Sequence, residues 1–396
     1  MSDAAMQVLF VLRPPVENYP PTLNQINILI EQGFQVSVLC APSGALGQAS
    51  DALPDAVRRV SIQSTPIGGG ILGRLLGVLR FRWRVRQGLR RFAPRIVVAC
   101  DAEAAWAVGI ARRRGYRLVW HFHEVPERQN QGFSTNLANR WVWRHARHPD
   151  LIVFPDPGRA GVFAADAGID VAAIPIVANC PRPLRDVPEP ILRAQLAARL
   201  PAHARVVLYH GAIGPDHGIE TAIRSMRHWP ADACFVLKGR GSTEYLARIR
   251  ALAEAEAVAD RVLIHWPGFQ SYEEHYRFIA GADVGWTALE EISAAWRYSA
   301  YASNKRFECM ALGVPQVTNT GPLLDALVEA NGCGLCVPVD DADAVGAAVH
   351  RLLSDPLRLA AMRAAGRDLH LREFHYDKQF EPVIKHFRQW LDCPAR

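Results

Sequence analysis

The residues best suited to chemistry in this chain fall in three short stretches. The first is Ser303-Asn304-Lys305-Arg306-Phe307-Glu308-Cys309-Met310-Ala311-Leu312-Gly313-Val314-Pro315. Phe307, Met310 and Ala311 recur at helical spacing, so a helix begins near Asn304 and ends at Gly313, the residue that adopts a left-handed cap without strain. Pro315 forbids further helix, and Gln316-Val317-Thr318 turns extended. The open amides of the first turn suit a phosphate. Lys305 adds a positive charge there, and Glu308, one turn on, is placed to accept two hydrogen bonds from a ribose. The second stretch is the glycine loop Gly211-Ala212-Ile213-Gly214-Pro215-Asp216-His217-Gly218, between a strand and a helix, where backbone amides approach a diphosphate. The third, His121-Phe122-His123-Glu124, closes a strand whose carboxyl end faces the ligand crevice of an open α/β sheet. The plainer alternatives are a capped surface helix, a simple turn and a surface histidine pair.

These stretches need rigid elements to hold them. Gln7 to Leu12 is a continuous apolar run, as in a strand of a parallel sheet covered on both faces. A helix from Thr22 to Gly33 and a strand from Phe34 to Cys40 follow, the start of a doubly wound sheet. No Gly-x-Gly-x-x-Gly follows the first strand, which argues against a dinucleotide-dependent dehydrogenase. Further strands are expected at 95–100, 117–127, 151–154 and 174–179, with a helix from Phe133 to His148. Cys180 to Pro190 carries four prolines, a semi-rigid linker. Beyond it come strands at 205–210, 235–238, 262–269, 282–286 and 332–339, helices at 219–226, 273–280 and 341–353, and an amphipathic helix from Phe380 to Leu391.

At 396 residues the chain is too long for one core and divides into two domains. We place them at 1–180 and 204–375, with a linker at 181–203 and a last helix at 376–396. No apolar run approaches the ~20 residues that span a bilayer, and the first residues show no basic leader. Eight scattered cysteines read as reduced thiols, Cys333-x-x-Cys336 lacking a second metal-like pair. The net charge of +6 is unevenly spread. Between Asp55 and Asp101 there is no acidic residue and there are ten arginines. A helix across 68–93 carries Leu72, Leu75, Leu76, Leu79 and Trp83 on one stripe, although Leu79 to Arg86 also alternates as a strand would. Arg80, Arg82, Arg84 and Arg86 around Trp83 form a docking surface for an anionic membrane leaflet, or else a solvated face. No nucleic-acid module is present.

The stretch at 303–315 resembles the nucleotide-sugar loop of GT-B glycosyltransferases, above all glycosyltransferase family four. The family string, roughly Pro-x-Lys-x-(Phe/Leu)-Glu-x-Met-Ala-x-Gly-x-Pro, is matched at Lys305, Phe307, Glu308, Met310, Ala311, Gly313 and Pro315. The earlier glutamate that many members carry falls at Ala300. The family's glycine loop carries an arginine and a lysine where this chain has Ala212 and His217. The resemblance implies a GT-B architecture, two Rossmann-like doubly wound α/β domains facing across a cleft. It implies donor contacts from Gly211, Gly214, His217, Asn304, Lys305 and Glu308, with Lys238 and Arg240 of Lys238-Gly239-Arg240-Gly241 supplying the charge that Ala212 and His217 do not. It places His123 near the transferred sugar, with Glu124 supporting its loop.

The expected function is transfer of a sugar from a nucleoside-diphosphate sugar to an acceptor, with retention by resemblance. No divalent cation is implied; Lys238, Arg240 and Lys305 neutralise the leaving diphosphate instead. The acceptor is expected to be a lipid-linked or other glycan of a cell-surface polysaccharide or glycolipid route, used by a cytoplasmic protein peripheral to the inner face of the membrane. The alternatives are a nucleotide-sugar-binding partner subunit without turnover and a nucleotide-sugar 2-epimerase, for which Glu124 and Glu127 are the weak acid/base candidates.

Overall fold

The computed structural model describes residues 7–42, 53–62, 71–111, 115–126, 133–268 and 270–392. Glu127, Phe269, Cys393, residues 68–70 and the side chains of Leu72, Leu75 and Phe133 lie outside them. The chain divides into two compact units. Unit 1 comprises Met1–Asn179 with Tyr376–Arg396, and unit 2 comprises Cys180–His375.

Unit 1 is built on six parallel strands: β1 (Gln7–Val11), β2 (Gln35–Cys40), β3 (Arg58–Ser61), β4 (Ile96–Cys100), β5 (Arg117–His121) and β6 (Leu151–Val153). Their order is β3-β2-β1-β4-β5-β6. The central strands are buried on both faces, which is why Val8 to Val11 and Ile96 to Cys100 read as unbroken apolar runs. The order reverses between β1 and β4, so the loops after these two strands splay apart at their carboxyl ends.

The first helix, Pro20–Glu31, stops at Gly33, whose φ of 83° is left-handed. The arginine-rich segment is helical over Ile71–Phe92. It buries Val78, Phe81, Val85 and Gly88, the last so close to Leu39 that a Cβ would lie 2.4 Å from its Cδ1. The outer face keeps Leu76, Leu79 and Trp83 about half exposed, at 49%, 49% and 53%. Among the described residues no helix is long and apolar enough to cross a membrane.

Residues 174–179 do not form the expected strand. Pro175 has no N–H to give, and only a single bridge joins Ile176 to Phe154. Three elements of unit 1 were not anticipated: the edge strand β3 and the helices Asp101–Ala111 and Pro157–Ala167. The C-terminal helix, Tyr376–Asp392, packs on the first helix within the same unit. Gln25 Nε2 donates to Tyr376 Oη at 2.7 Å, and the rings of Phe34 and Phe387 meet edge-on at 6.3 Å.

Unit 2 repeats the plan with β7 (Arg205–His210), β8 (Ala233–Lys238), β9 (Val262–His265), β10 (Val284–Trp286), β11 (Gln316–Asn319) and β12 (Gly334–Val337), ordered β12-β11-β10-β7-β8-β9. All pairings are parallel. Here the reversal lies between β7 and β10, and the glycine loop leaves β7 at that point. The helix Pro356–Arg372 was also unforeseen. Asp341-Ala342-Asp343 is the chain's one Asp-x-Asp string, and its two carboxylates are engaged within unit 2. Asp341 accepts from the amides of Asp343 and Ala344, while Asp343 pairs with Arg227 and His228.

Candidate functional site

In unit 2 the strand β7 delivers His210 and then Gly211, whose φ is 121°. Lys305, the second residue of the helix Asn304–Ala311, lies across this glycine. The φ of 121° calls for glycine, and a Cβ there would also stand 2.8 Å from Lys305 Cε, so the lysine would have to shift. Gly239, after β8, closes against the same loop, since a Cβ there would fall 1.7 Å from the Gly211 oxygen. Gly214 is under no such pressure; a Cβ there meets nothing within 4 Å. The helix ends as expected on Gly313, φ 64°. Its N-cap, Ser303, makes no side-chain cap bond to the first-turn amides.

Glu308 faces inward from this helix and is buried. It accepts a hydrogen bond from His210 Nε2 at 2.8 Å, and His275 Nε2 stands 3.7 Å away. Burial would raise the Glu308 carboxyl, but the His210 and His275 hydrogen bonds and charge outweigh it and hold it well below the usual carboxylate range. Burial pushes His210 down to about 4 against the pull of Glu308, so the pair is a carboxylate receiving a neutral imidazole N–H. Lys238 is buried at the end of β8, with Nζ 2.8 Å from His275 Nδ1 and 5.0 Å from the Phe278 ring centre. Loss of hydration brings both Lys238 and Lys305 down to about 8, with Glu308 partly restoring them. Two poorly hydrated ammonium groups are therefore both within the field of one carboxylate, a setting that favours an incoming anion.

His217 packs its ring on Tyr209 and Trp296, and its Nδ1 is buried without a hydrogen-bond partner. Burial and then Lys305 lower it to about 3, so it is neutral and brings no charge where the family pattern has lysine. Arg240 is exposed and joins the loop through its carbonyl, which accepts from Ile213 N–H at 2.8 Å. Asn304 opens the helix half-buried. Ala300, in place of the missing glutamate, is buried and offers only a methyl. The sequence reading passed over His210 and His275 as partners of Glu308; the polar end of a buried strand was the available sign for His210.

In unit 1, β4 ends at Cys100 and is followed by Asp101 with a φ of 64°, a left-handed conformation for a residue bearing a Cβ. Its carboxylate accepts from the His123 amide at 2.8 Å and from His123 Nδ1 at 3.1 Å, and lies 3.5 Å from the Glu124 amide. Burial would raise the Asp101 carboxyl, yet the His123 charge and hydrogen bonds keep it below the ordinary value. His123 is buried beneath Tyr19, ring centres 4.5 Å apart, and its Nε2 is 3.0 Å from Thr22 Oγ1. Both nitrogens of the expected catalytic histidine are thus engaged inside the unit. Glu124 is exposed and pairs with Arg159 at 3.0 Å. A cavity of about 480 Å³ opens beside them, walled by Arg13, Tyr19, Asp101, Glu103, Glu124 and Asn139 among others; His123 is not on its wall.

On the basic helix, Arg82 lies 5.1 Å over the Trp106 ring and Arg84 5.1 Å over Trp83. Arg86 is exposed and Arg80 half-buried.

Comparison with known proteins adds independent findings. Residues 22–180 match the family model described as Glycosyltransferase Family 4, and residues 204–355 the one described as Glycosyl transferases group 1. The chain is 27% identical over 306 residues to an alpha-D-kanosaminyltransferase of Streptomyces kanamyceticus, covering 73% of this chain and 75% of that protein. Its fold is similar to that of a sucrose-phosphate synthase from Thermosynechococcus elongatus, with a TM-score of 0.75, 17% identity and coverage of 98% and 99%. It is likewise similar to Anabaena Alr3699/HepE, solved in complex with UDP-glucose, with a TM-score of 0.74, 17% identity and coverage of 97% and 100%.

Proposed function

The chain belongs to the glycosyltransferases, residues 22–180 to family 4 and residues 204–355 to group 1, and from that premise we propose that unit 2 binds a nucleoside-diphosphate sugar and unit 1 the acceptor. The observation that carries the donor reading is the pairing of Lys238 and Lys305 around Glu308 beside the Gly211 turn. A diphosphate brings the negative charge these two ammonium groups lack, and Glu308 remains ionised to receive ribose hydroxyls. As the bond to the anomeric carbon breaks, charge grows on the departing diphosphate. Fixed cations stabilise that state more than the ground state. Lys238 and Lys305 serve here without a metal ion. The transferred group is a hexose, displaced with retention of configuration.

The acceptor is a saccharide, lipid-linked in a polysaccharide or glycolipid route at the cell surface. The exposed Leu76, Leu79 and Trp83, flanked by Arg80, Arg82, Arg84 and Arg86, support attachment to an anionic leaflet on the cytoplasmic side. The titratable anchors on the acceptor side are Asp101, His123 and Glu124. The test is a thermal-shift screen against UDP, GDP, ADP and their sugar conjugates. A ligand at 100 times its Kd adds ~2.7 kcal/mol, a clear shift. A response confined to one nucleoside diphosphate and its sugars supports the reading and names the donor base. No response to any of them overturns it.

A further inference from the structure

The cavity of unit 1 stands where its sheet reverses order. Arg13 follows β1, Asp101 follows β4, and both are on the wall. In open sheets of this order ligands bind outside the strand ends at that point. Of the two members of the Asp101–His123 pair, Asp101 is the one that reaches the space. Its side chain is 32% exposed against 6% for His123.

We propose that Asp101 is the residue of unit 1 that meets the acceptor, that the acceptor enters this cavity as a saccharide presenting uncharged hydroxyls, and that His123 is the positioning residue behind Asp101. This rests on the reading of unit 1 as the acceptor-binding half.

The chemistry of the wall selects such a ligand. Asp101, Glu103 and Glu124 accept hydrogen bonds, Asn139 both gives and accepts, and Tyr19 offers an aromatic surface for a sugar's C–H face. Among the described residues the one cation on the wall, Arg13, is already paired with Glu103, which also accepts from Thr135 Oγ1 at 3.2 Å. A phosphate in this space would stand against the Asp101 carboxylate, since Glu103 and Glu124 are already matched by Arg13 and Arg159. A diphosphate carried by the acceptor therefore stays outside the cavity, and only the sugar enters.

The support behind Asp101 is equally specific. His123 is held from both sides, Nδ1 on the Asp101 carboxylate and Nε2 on the Thr22 hydroxyl. With the His123 amide, it pins both carboxylate oxygens. The left-handed backbone at Asp101 is maintained against its steric cost, and the carboxylate it carries lies on the cavity wall. The carboxyl stays ionised through neutral pH, so it orients a hydroxyl as an acceptor and gives no proton.

The test uses the full chain and saturation-transfer NMR with the methyl α-pyranosides of glucose, galactose and mannose, their monodeoxy analogues, and methyl α-D-glucopyranoside 6-phosphate. Asp101→Asn is the variant, because asparagine tolerates the left-handed backbone. We expect at least one parent glycoside to bind, and Asp101→Asn to weaken it about tenfold or more. The analogue lacking the contacted hydroxyl should bind wild type and variant alike, which a merely structural role for Asp101 would not produce. His123→Gln should weaken the parent glycoside less than Asp101→Asn does. Binding of none of the glycosides, equal affinity of both proteins for the parent, or preferential binding of the 6-phosphate overturns the proposal. The thermal shift with nucleoside diphosphates, read on the same samples, separates this failure from failure of the donor reading.

Discussion

Lys305 crosses over Gly211 so that its ammonium nitrogen rests 5.2 Å from the centre of the Tyr209 ring. The ring's negative face is a weak partner for a full charge, worth ~0.5–2 kcal/mol. The lysine is therefore held in place without being neutralised. That is the state required of a group that must receive a phosphate.

Lys305→Ala removes one of two cations from the donor site. The expected result is a Kd for the cognate nucleoside diphosphate raised about 10- to 100-fold, as for loss of a charge-assisted contact of ~1.5–3 kcal/mol. Isothermal titration calorimetry measures it directly. An unchanged Kd would move the donor away from Gly211.

The two lysines titrate near 8, below the ordinary lysine value of 10.5. Donor affinity needs their protonated forms, so it should be full at pH 7 and fall through pH 8 to 9. Stability of the empty protein runs the other way. The unfolded chain holds these protons more tightly, so stability rises with pH from about 8 to about 10.5. Urea midpoints and diphosphate titrations over this range should move in opposite directions, and parallel movement would contradict the assignment.

Gly211→Ala places a Cβ against Lys305 in a backbone region unsuited to L residues. The expected cost is about 1–3 kcal/mol by denaturant unfolding, accompanied by weaker donor binding because the lysine must move. Gly214→Ala, with open space around its Cβ, is the matched control for stability and should leave the unfolding midpoint nearly unchanged.

Changing Arg80, Arg82, Arg84 and Arg86 together to Gln removes four charges beside the exposed Trp83. At ~1 kcal/mol per basic residue near an anionic surface, vesicle binding should fall by about three orders of magnitude at low salt. Circular dichroism should be unchanged, since the buried face of this helix is Val78, Phe81 and Val85. Sedimentation with phosphatidylserine vesicles decides, and undiminished binding would leave these residues a solvated face.

The elements that periodicity specifies were legible. β1 and β4 announce themselves as buried runs, and Gly33 and Gly313 take the left-handed geometry their positions required. One missed element lacks an apolar pattern altogether. β3, Arg58–Ser61, is a half-exposed edge strand carrying two arginines, so nothing alternates. The 174–179 segment misled because its apolar residues imitate a strand while Pro175 cannot pair as one. The local donor motif, Lys305 with Glu308, could be found because both lie on one helical turn. The partner of Glu308 could not, since His210 is 98 residues away and only the sheet brings them together. Asp101 escaped for a similar reason. Its importance lies in a backbone angle and in a hydrogen bond to His123, neither of which leaves a mark in residue type.

Unit 1 is assembled from two stretches of chain with the whole of unit 2 threaded between them. Gln25, buried in the first helix, shares its hydrogen bonds between His121 and Tyr376, and the latter emerges from the ribosome only after unit 2. Synthesis therefore presents the cell with a first half that waits, its first helix uncovered where Tyr376 later meets Gln25, until unit 2 has been made. A fragment ending at Asn179 consequently omits part of that unit's own core, whereas unit 2 is one continuous stretch, Cys180–His375.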